Sequence, residues 1–437
     1  MLRPCHDVTM LNLWRLFTSV FVILQLQSHM RASRAQRDTP ADLPVLLWWT
    51  PFSDDPGYVQ ECGEQSCLVT DARSHINSPQ LSWVLIYGTL LEPWDLPLPR
   101  SARVPWGLLH EESPKNAPIF CHDDCISLFN LTATFRSGSD LPLTLQYLSS
   151  LEALTSPAGV VPIEEKLASE RAPLVYLASG CDTPVQRDAF VAELMQHIAV
   201  DSYGVCLNNR PLPVELADPS EADPAALDAF LAPYRFYLSL ENAVCDDYIT
   251  EKLWRPLRLG VVPVYHGAPN VRRWLPNNDS ALLVSEFESP RALAAHLKRL
   301  GADSEAYSAH LRHKRGQVDN AELKRTLASR PWAALDDTVS DAPNLVEAFQ
   351  CRACELAWEA RRVGGTAPRT ADSGHYGCPR PAPLLADGDS SWWAEQWERA
   401  ALEAAQMRRL VADGRAVSRE DFHRRILSQL SAGRDEL

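Results

Sequence analysis

The 437-residue sequence has no excess of basic charge: 42 lysines and arginines face 56 aspartates and glutamates, for a formal net charge of −14. A chain this acidic repels phosphate, which argues against nucleic acid or an anionic membrane surface as its main partner. A long apolar run is also missing. The most apolar stretch near the start, Leu16–Leu26, falls short of the roughly 20 residues a membrane span needs. Counting from Leu11 lengthens it but takes in Asn12 and Arg15. No internal repeat and no long low-complexity tract is present. What remains is ordinary globular composition, 46% hydrophobic and 22% charged, at a length that suggests two or three domains.

Zinc chemistry is short of ligands. Cys351-x-x-Cys354 has no second Cys-x-x-Cys and no His-x-x-x-His to complete a site, and thioredoxin-like context is absent. Of the eleven cysteines, Cys5 falls in the N-terminal segment. The others are Cys62, Cys67, Cys121, Cys125, Cys181, Cys206, Cys245, Cys351, Cys354 and Cys378, an even number that permits up to five disulfides in an oxidising compartment. Cys62/Cys67, Cys121/Cys125 and Cys351/Cys354 are near enough in sequence to pair locally, although spacing does not prove pairing. Two glycosylation sequons, at Asn130 and Asn278, suit surface loops of a luminal protein.

Both ends read as addresses. Arg3 and Arg15, the apolar run and then Arg31, Arg34 and Arg37 fit a signal peptide with Ser33-Arg-Ala35 as its cleavage site, or a short type II signal anchor. The last four residues, Arg434-Asp-Glu-Leu437, differ from the K-D-E-L signal only by arginine for lysine. Together they predict a luminal protein of the endoplasmic reticulum, free or tethered as a single-pass type II protein, with a retrieval receptor as partner and the Golgi the lesser alternative.

Along the chain, buried strands are expected at 44–49, 82–87, 102–109 and 127–131, then at 173–178, 200–205, 236–240, 261–265 and 281–284. Helices are expected at 184–198, 225–232, 248–259 and 290–300. Two halves that alternate strand and helix predict an α/β fold with two Rossmann-like domains facing a cleft. The boundaries read as 1–35 for the targeting segment, 43–165 and 172–345 for the two domains, and 346–437 for a cysteine-containing, helical extension.

The most informative stretch is Ser239–Gly267, SLENAVCDDYITEKLWRPLRLGVVPVYHG. A strand, a polar loop opened by Glu241-Asn242, an amphipathic helix and a second strand form a β-loop-α-β unit. Its strands should be parallel neighbours, with ligands bound beyond their carboxyl ends. On a helix from Tyr248, Tyr248 and Lys252 share a face with Glu251 beside them. An aromatic ring, a carboxylate and an ammonium at a helix N-terminus suit a sugar nucleotide: ring on sugar or base, carboxylate on ribose, ammonium on diphosphate.

Glu241-Asn242, Asp247-Tyr-Ile-Thr-Glu-Lys-Leu-Trp254 and Gly260-Val-Val-Pro-Val264 resemble the donor-binding motif of the α1,3-fucosyltransferase family, glycosyltransferase family 10. His110-Glu-Glu-Ser-Pro114 is similar to its M-E-S-P segment, and Ser179-Gly-Cys-Asp-Thr-Pro-Val-Gln-Arg187 to its S-N-C-x-S-x-x-x-R-like segment, with Gly180 departing from the usual asparagine. The resemblance covers about residues 43–355 and implies the GT-B architecture. It implies GDP-fucose as donor substrate, inversion at the sugar, and no metal or other cofactor. The one Asp-x-Asp, Asp387-Gly-Asp389, lies far from the motif in sequence. By the same resemblance Glu112 is the catalytic base, with Glu111 and His110 as competitors. Arg187, Glu241, Asn242, Tyr248, Glu251 and Lys252 hold the donor. The retained ending points to the animal branch numbered ten and eleven, which resembles enzymes that fucosylate serine or threonine of folding, disulfide-rich domains. Transfer to N-acetylglucosamine of glycans and a non-catalytic lectin or chaperone role are the alternatives.

Overall fold

The computed structural model describes residues 42–50, 57–218, 222–335, 337, 340–365, 370–372, 374–386, 388 and 391–435. The N-terminal segment, Asp387, Asp389, Glu436 and Leu437 lie outside the described residues, and with them the targeting segment, the Asp-x-Asp triplet and the end of the C-terminal signal. Among the described residues no helix is long and apolar enough to cross a membrane. The expected tether as a single-pass type II protein, whose segment lies outside these residues, finds no support among them.

The chain divides into two units, each built on a sheet. The first comprises Met1–Leu143, Asp341–Gly377 and Gln396–Leu437; the second comprises Thr144–Ser340 and Cys378–Glu395. Residues 346–437, read above as a separate extension, are thus shared between the units, and the first unit gives way to the second before the break expected near residue 165. The helices Leu151–Thr155 and Ile163–Ala168 belong to the second unit.

In the first unit the strands are β1 (Val45–Trp48), β2 (Tyr58–Cys62), β3 (Gln65–Thr70), β4 (Leu81–Tyr87), β5 (Trp106–His110) and β6 (Leu131–Thr134), in the order β2-β3-β1-β4-β5-β6. All neighbours are parallel except the β2–β3 hairpin. The fourth strand was expected at 127–131. Instead, Asp123–Ile126 is a short helix, and the ladder with β5 begins at Leu131, opposite Gly107. The helix Leu345–Val363 starts at a capping box between Asn344 and Glu347 and packs on the sheet.

Disulfides Cys62–Cys351 and Cys67–Cys354 tie the hairpin to that helix. The local pairs allowed by spacing are not formed. Cys351 and Cys354, three apart on one helical face, each reach a different strand of the hairpin, and Cys121 and Cys125 are free thiols. Of the two sequons, Asn278 is exposed. Asn130 is half-buried at the entry to β6, and its Oδ1 accepts from Arg100 and from the Trp106 N–H at 3.1 Å. The C-terminal helices Ser391–Asp413 and Arg419–Asp435 bury Ala404, Met407, Leu410, Phe422 and Ile426.

The second unit holds β7 (Leu174–Ala178), β8 (Val200–Gly204), β9 (Phe236–Leu240), β10 (Val262–His266) and β11 (Leu282–Leu283), in the order β11-β10-β9-β7-β8 with every pair parallel. β9 is buried along its whole length, as a central parallel strand covered on both faces must be. The α/β class expected from sequence holds. In both sheets the residues singled out for chemistry follow the carboxyl ends of strands: Glu111 and Glu112 after β5, the loop to Arg187 after β7, and Glu241 after β9.

Candidate donor and base sites

The helix after β9 is Glu251–Leu259, shorter than expected. Thr250 is its N-cap, accepting the Lys252 N–H on its side chain. Tyr248 therefore precedes the helix and shares no helical face with Lys252. The cap is held from behind by Glu241, which is 0% exposed. Its carboxylate accepts the Thr250 N–H at 2.7 Å and the Thr250 hydroxyl at 2.8 Å. Gly267 makes room for it, because an added Cβ would sit 2.5 Å from Glu241 Cγ. Burial raises the Glu241 carboxyl pKa above its ordinary value, against the pull of Lys252.

Lys252 Nζ is the hub. It donates to Glu251 at 2.9 Å and to the Thr250 hydroxyl at 3.0 Å, and stands 3.6 Å from Glu241. Burial pulls its pKa down, but the carboxylates of Glu251 and Glu241 outweigh burial and leave it above the ordinary lysine value. Burial pushes Glu251 up in turn, and the charges of Lys252 and Arg255 more than reverse this, holding it well below the usual carboxylate range. The result is one fixed ammonium at a helix N-terminus, where backbone N–H groups add to its field.

The other end of this helix is braced. Gly260, at φ +63°, ends it in the left-handed conformation that favours glycine. Its last carbonyls accept from Lys166 (to Gly260, 2.7 Å) and Lys314 (to Arg258, 2.7 Å), and the His313 ring nitrogen lies 3.0 Å from the Leu257 oxygen. Burial lowers Lys166 to about 7.

Arg187 is the first residue of the helix Arg187–Met195 and is 4% exposed. Its guanidinium donates to the Leu240 and Gly180 carbonyls, each at 2.8 Å, and so ties the end of β9 to the loop after β7. Its Nε has no acceptor among the described residues. Tyr248, 4% exposed, donates its hydroxyl to Asn242 Oδ1 at 3.0 Å. This loop also depends on a residue that the chemical reading of the motif passed over. Asp247, at φ +63°, accepts from Asn270 Nδ2 and Trp274 Nε1, both at 2.8 Å, and its own N–H donates to Asn270 Oδ1. An acidic residue mid-motif next to a tyrosine was the available signal.

At the carboxyl end of β5, three neighbours share the second candidate site. His110 is buried, its Nδ1 lies 2.7 Å from the Tyr376 hydroxyl, and burial lowers its pKa to about 3. Glu111 is 1% exposed and accepts the Tyr87 hydroxyl at 2.6 Å; burial, then the charge of Glu112, raises its carboxyl to about 7. Glu112 is half-buried, with Asn116 Nδ2 3.4 Å from its Oε2. The structure therefore separates the two acids, placing Glu111 under the surface and Glu112 at it.

Glu111 has a consequence for stability. Its carboxyl moves from an ordinary 4.5 to about 7 on folding, so the folded chain keeps a proton that the unfolded chain releases. That contribution is full below the unfolded value and is lost as pH rises through about 7. The melting temperature is expected to fall between about pH 5 and pH 8, and Glu111→Gln to flatten the fall. Equal slopes in both proteins would assign the titration to another group.

Comparison with known proteins places these residues in a family context. The family described as "Fucosyltransferase, N-terminal" matches residues 41–146, and "Glycosyltransferase family 10 (fucosyltransferase) C-term" matches residues 167–362. "GDP-fucose protein O-fucosyltransferase 3" of Bos taurus is 43% identical over 393 residues, 87% of this chain and 82% of that one. The protein of the same name from Homo sapiens is 42% identical over 394 residues, with 87% and 82% covered. That from Gallus gallus is 41% identical over 410 residues, with 91% and 86% covered. Among solved structures, an α1,3-fucosyltransferase matches at 15% identity and a TM-score of 0.41, over 77% of this chain and 96% of that one.

Proposed function

Because the chain belongs to glycosyltransferase family 10, the fucosyltransferases, we propose that it transfers fucose from GDP-fucose to a serine or threonine hydroxyl of a protein. The acceptor reading rests on the relatives, named as protein O-fucosyltransferases over most of this chain's length. The observation that carries the chemistry is the Glu241–Thr250–Lys252 arrangement, which fixes an ammonium at a helix N-terminus beyond the carboxyl end of β9.

The reaction is a single displacement. The acceptor oxygen bonds to the anomeric carbon, the bond to the diphosphate oxygen breaks, and the configuration inverts. Lys252 offsets the charge that grows on the departing GDP, with Arg187 as a second cation behind it. Glu251 holds the ribose hydroxyls, and Asn242 and Tyr248 order the loop. Glu112 takes the proton of the attacking hydroxyl.

Charge neutralisation by Lys252 and Arg187 assigns no step to a divalent ion. Among the described residues, Cys181, Asp188 and Cys206 form a group with ligand-type side chains in reach of one another, but its two sulfurs are joined as a disulfide and do not fit a metal. GDP is therefore expected to raise the melting temperature without added Mg²⁺ or Mn²⁺, since a ligand of the folded state stabilises it. Chelator should leave the shift intact, and a shift that needs metal would overturn the metal-free reading.

A further inference from the structure

The segment Cys378–Glu395 lies beyond the matched family region, which ends at residue 362, yet belongs to the second unit. It touches both loops that carry the donor residues. Cys378 forms a disulfide with Cys245, which sits between Asn242 and Tyr248. The Leu384 N–H donates to the Val185 carbonyl at 2.9 Å, and Trp393 Nε1 donates to Asp182 Oδ1 at 2.9 Å. Asp182 and Val185 belong to the loop that leads to Arg187. Leu384 and Leu385 pack against the core around β7 and β9, which seats the segment between its outer ties.

The Arg187 loop needs holding. Asp182 is at φ +46° and Gln186 at φ +49°, left-handed backbone at non-glycine residues. Such conformations persist only where surrounding contacts over-determine them. Here the Cys181–Cys206 disulfide fixes the loop beside Asp182, and Trp393 and Leu384 hold it from the segment.

We propose that Cys378–Ala386, together with Trp393, is a strap that pre-orders the two donor loops. On this view Asp182, Trp393 and the Cys245–Cys378 disulfide are positioning residues for GDP-fucose. The inference rests on the donor-site reading above. Without the strap, ordering the loops becomes part of donor binding and weakens it. The donor KM then rises, while kcat at saturating donor and the acceptor KM stay near their original values.

The test is GDP titration calorimetry with donor and acceptor kinetics. Trp393→Phe keeps the ring and removes the N–H, and Asp182→Leu removes the acceptor. Each is expected to weaken GDP about two- to tenfold, the range one net hydrogen bond supports. Asp182→Asn, which keeps an acceptor oxygen, should retain wild-type affinity. Cys245→Ala/Cys378→Ala should weaken GDP further; if it fails to fold by circular dichroism, the Trp393 and Asp182 variants decide. Wild-type GDP affinity in those variants, or a loss of kcat without a rise in donor KM, would overturn the strap alone. A wild-type protein that does not bind GDP would overturn the donor reading and the strap with it.

Discussion

Replacing Lys252 with alanine is expected to lower fucose transfer at saturating donor by roughly 10²- to 10³-fold, the usual effect of removing one preorganised group opposite developing charge. Lys252 offers more than charge at a surface. Its ammonium is fixed by Glu251 at 2.9 Å and Thr250 at 3.0 Å, so it has little reorganisation to undergo as GDP departs. The substitution also strips the buried Glu241 of its nearby cation, so a lower melting temperature should accompany the loss. Lys252→Arg separates the two effects. It keeps the charge near Glu241 and should recover stability more fully than turnover, because the planar guanidinium does not match the ammonium's position. Turnover within a few-fold of wild type in Lys252→Ala would move the leaving-group role elsewhere, with Arg187 the first candidate.

Glu112→Gln is the second large effect. A positioned general base is typically worth 10²- to 10⁴-fold, so turnover should fall by about that much while GDP still binds. Retained GDP binding distinguishes loss of the base from a collapsed fold. Glu111→Gln is the paired control. Glu111 is buried against the Tyr87 hydroxyl and carries a proton up to about pH 7, so a glutamine there imitates the protonated acid and should leave most of the activity. An inactive Glu111→Gln beside a near-normal Glu112→Gln would transfer the base to the buried acid.

The parts of this fold that were legible in the sequence are those whose signal is local. Phe236–Leu240 is an apolar run ended by Glu241-Asn242, and it is a buried strand with the expected bounds. Pro290–Leu300 has Ser289 before it, proline at its first position and apolar residues at helical spacing, and it is a helix over that range. The start of the Lys252 helix was misplaced because Tyr248 and Ile249 continue an amphipathic pattern. What ends the loop is a tertiary contact, Glu241 holding Thr250, and periodicity does not register it.

The disulfides were hidden for a similar reason. Nearness in sequence favoured local pairs, but the β2–β3 hairpin meets the helix Leu345–Val363 from across the chain, and proximity in space decided the pairing. The part of the proposed strap before Ala386 was not legible: Pro381, Pro383 and the residues around them carry no strand or helix period, and their meaning lies in what they touch. At the candidate site, the residue types were readable, but which acid lies buried and which at the surface was not, since Glu111 and Glu112 are chemically identical and differ only in burial.

Fucose transfer to a polypeptide hydroxyl is decided by incubating the purified protein with GDP-fucose and a folded, cysteine-rich protein domain, with a free N-acetylglucosamine glycan in parallel. GDP release and the intact mass of each acceptor would both be measured. GDP release is expected together with one added deoxyhexose on a serine or threonine of the domain, both slowed by roughly 10²-fold or more in Glu112→Gln and Lys252→Ala. Fucose on the glycan alone, with the polypeptide unmodified across a panel of folded domains, would contradict it.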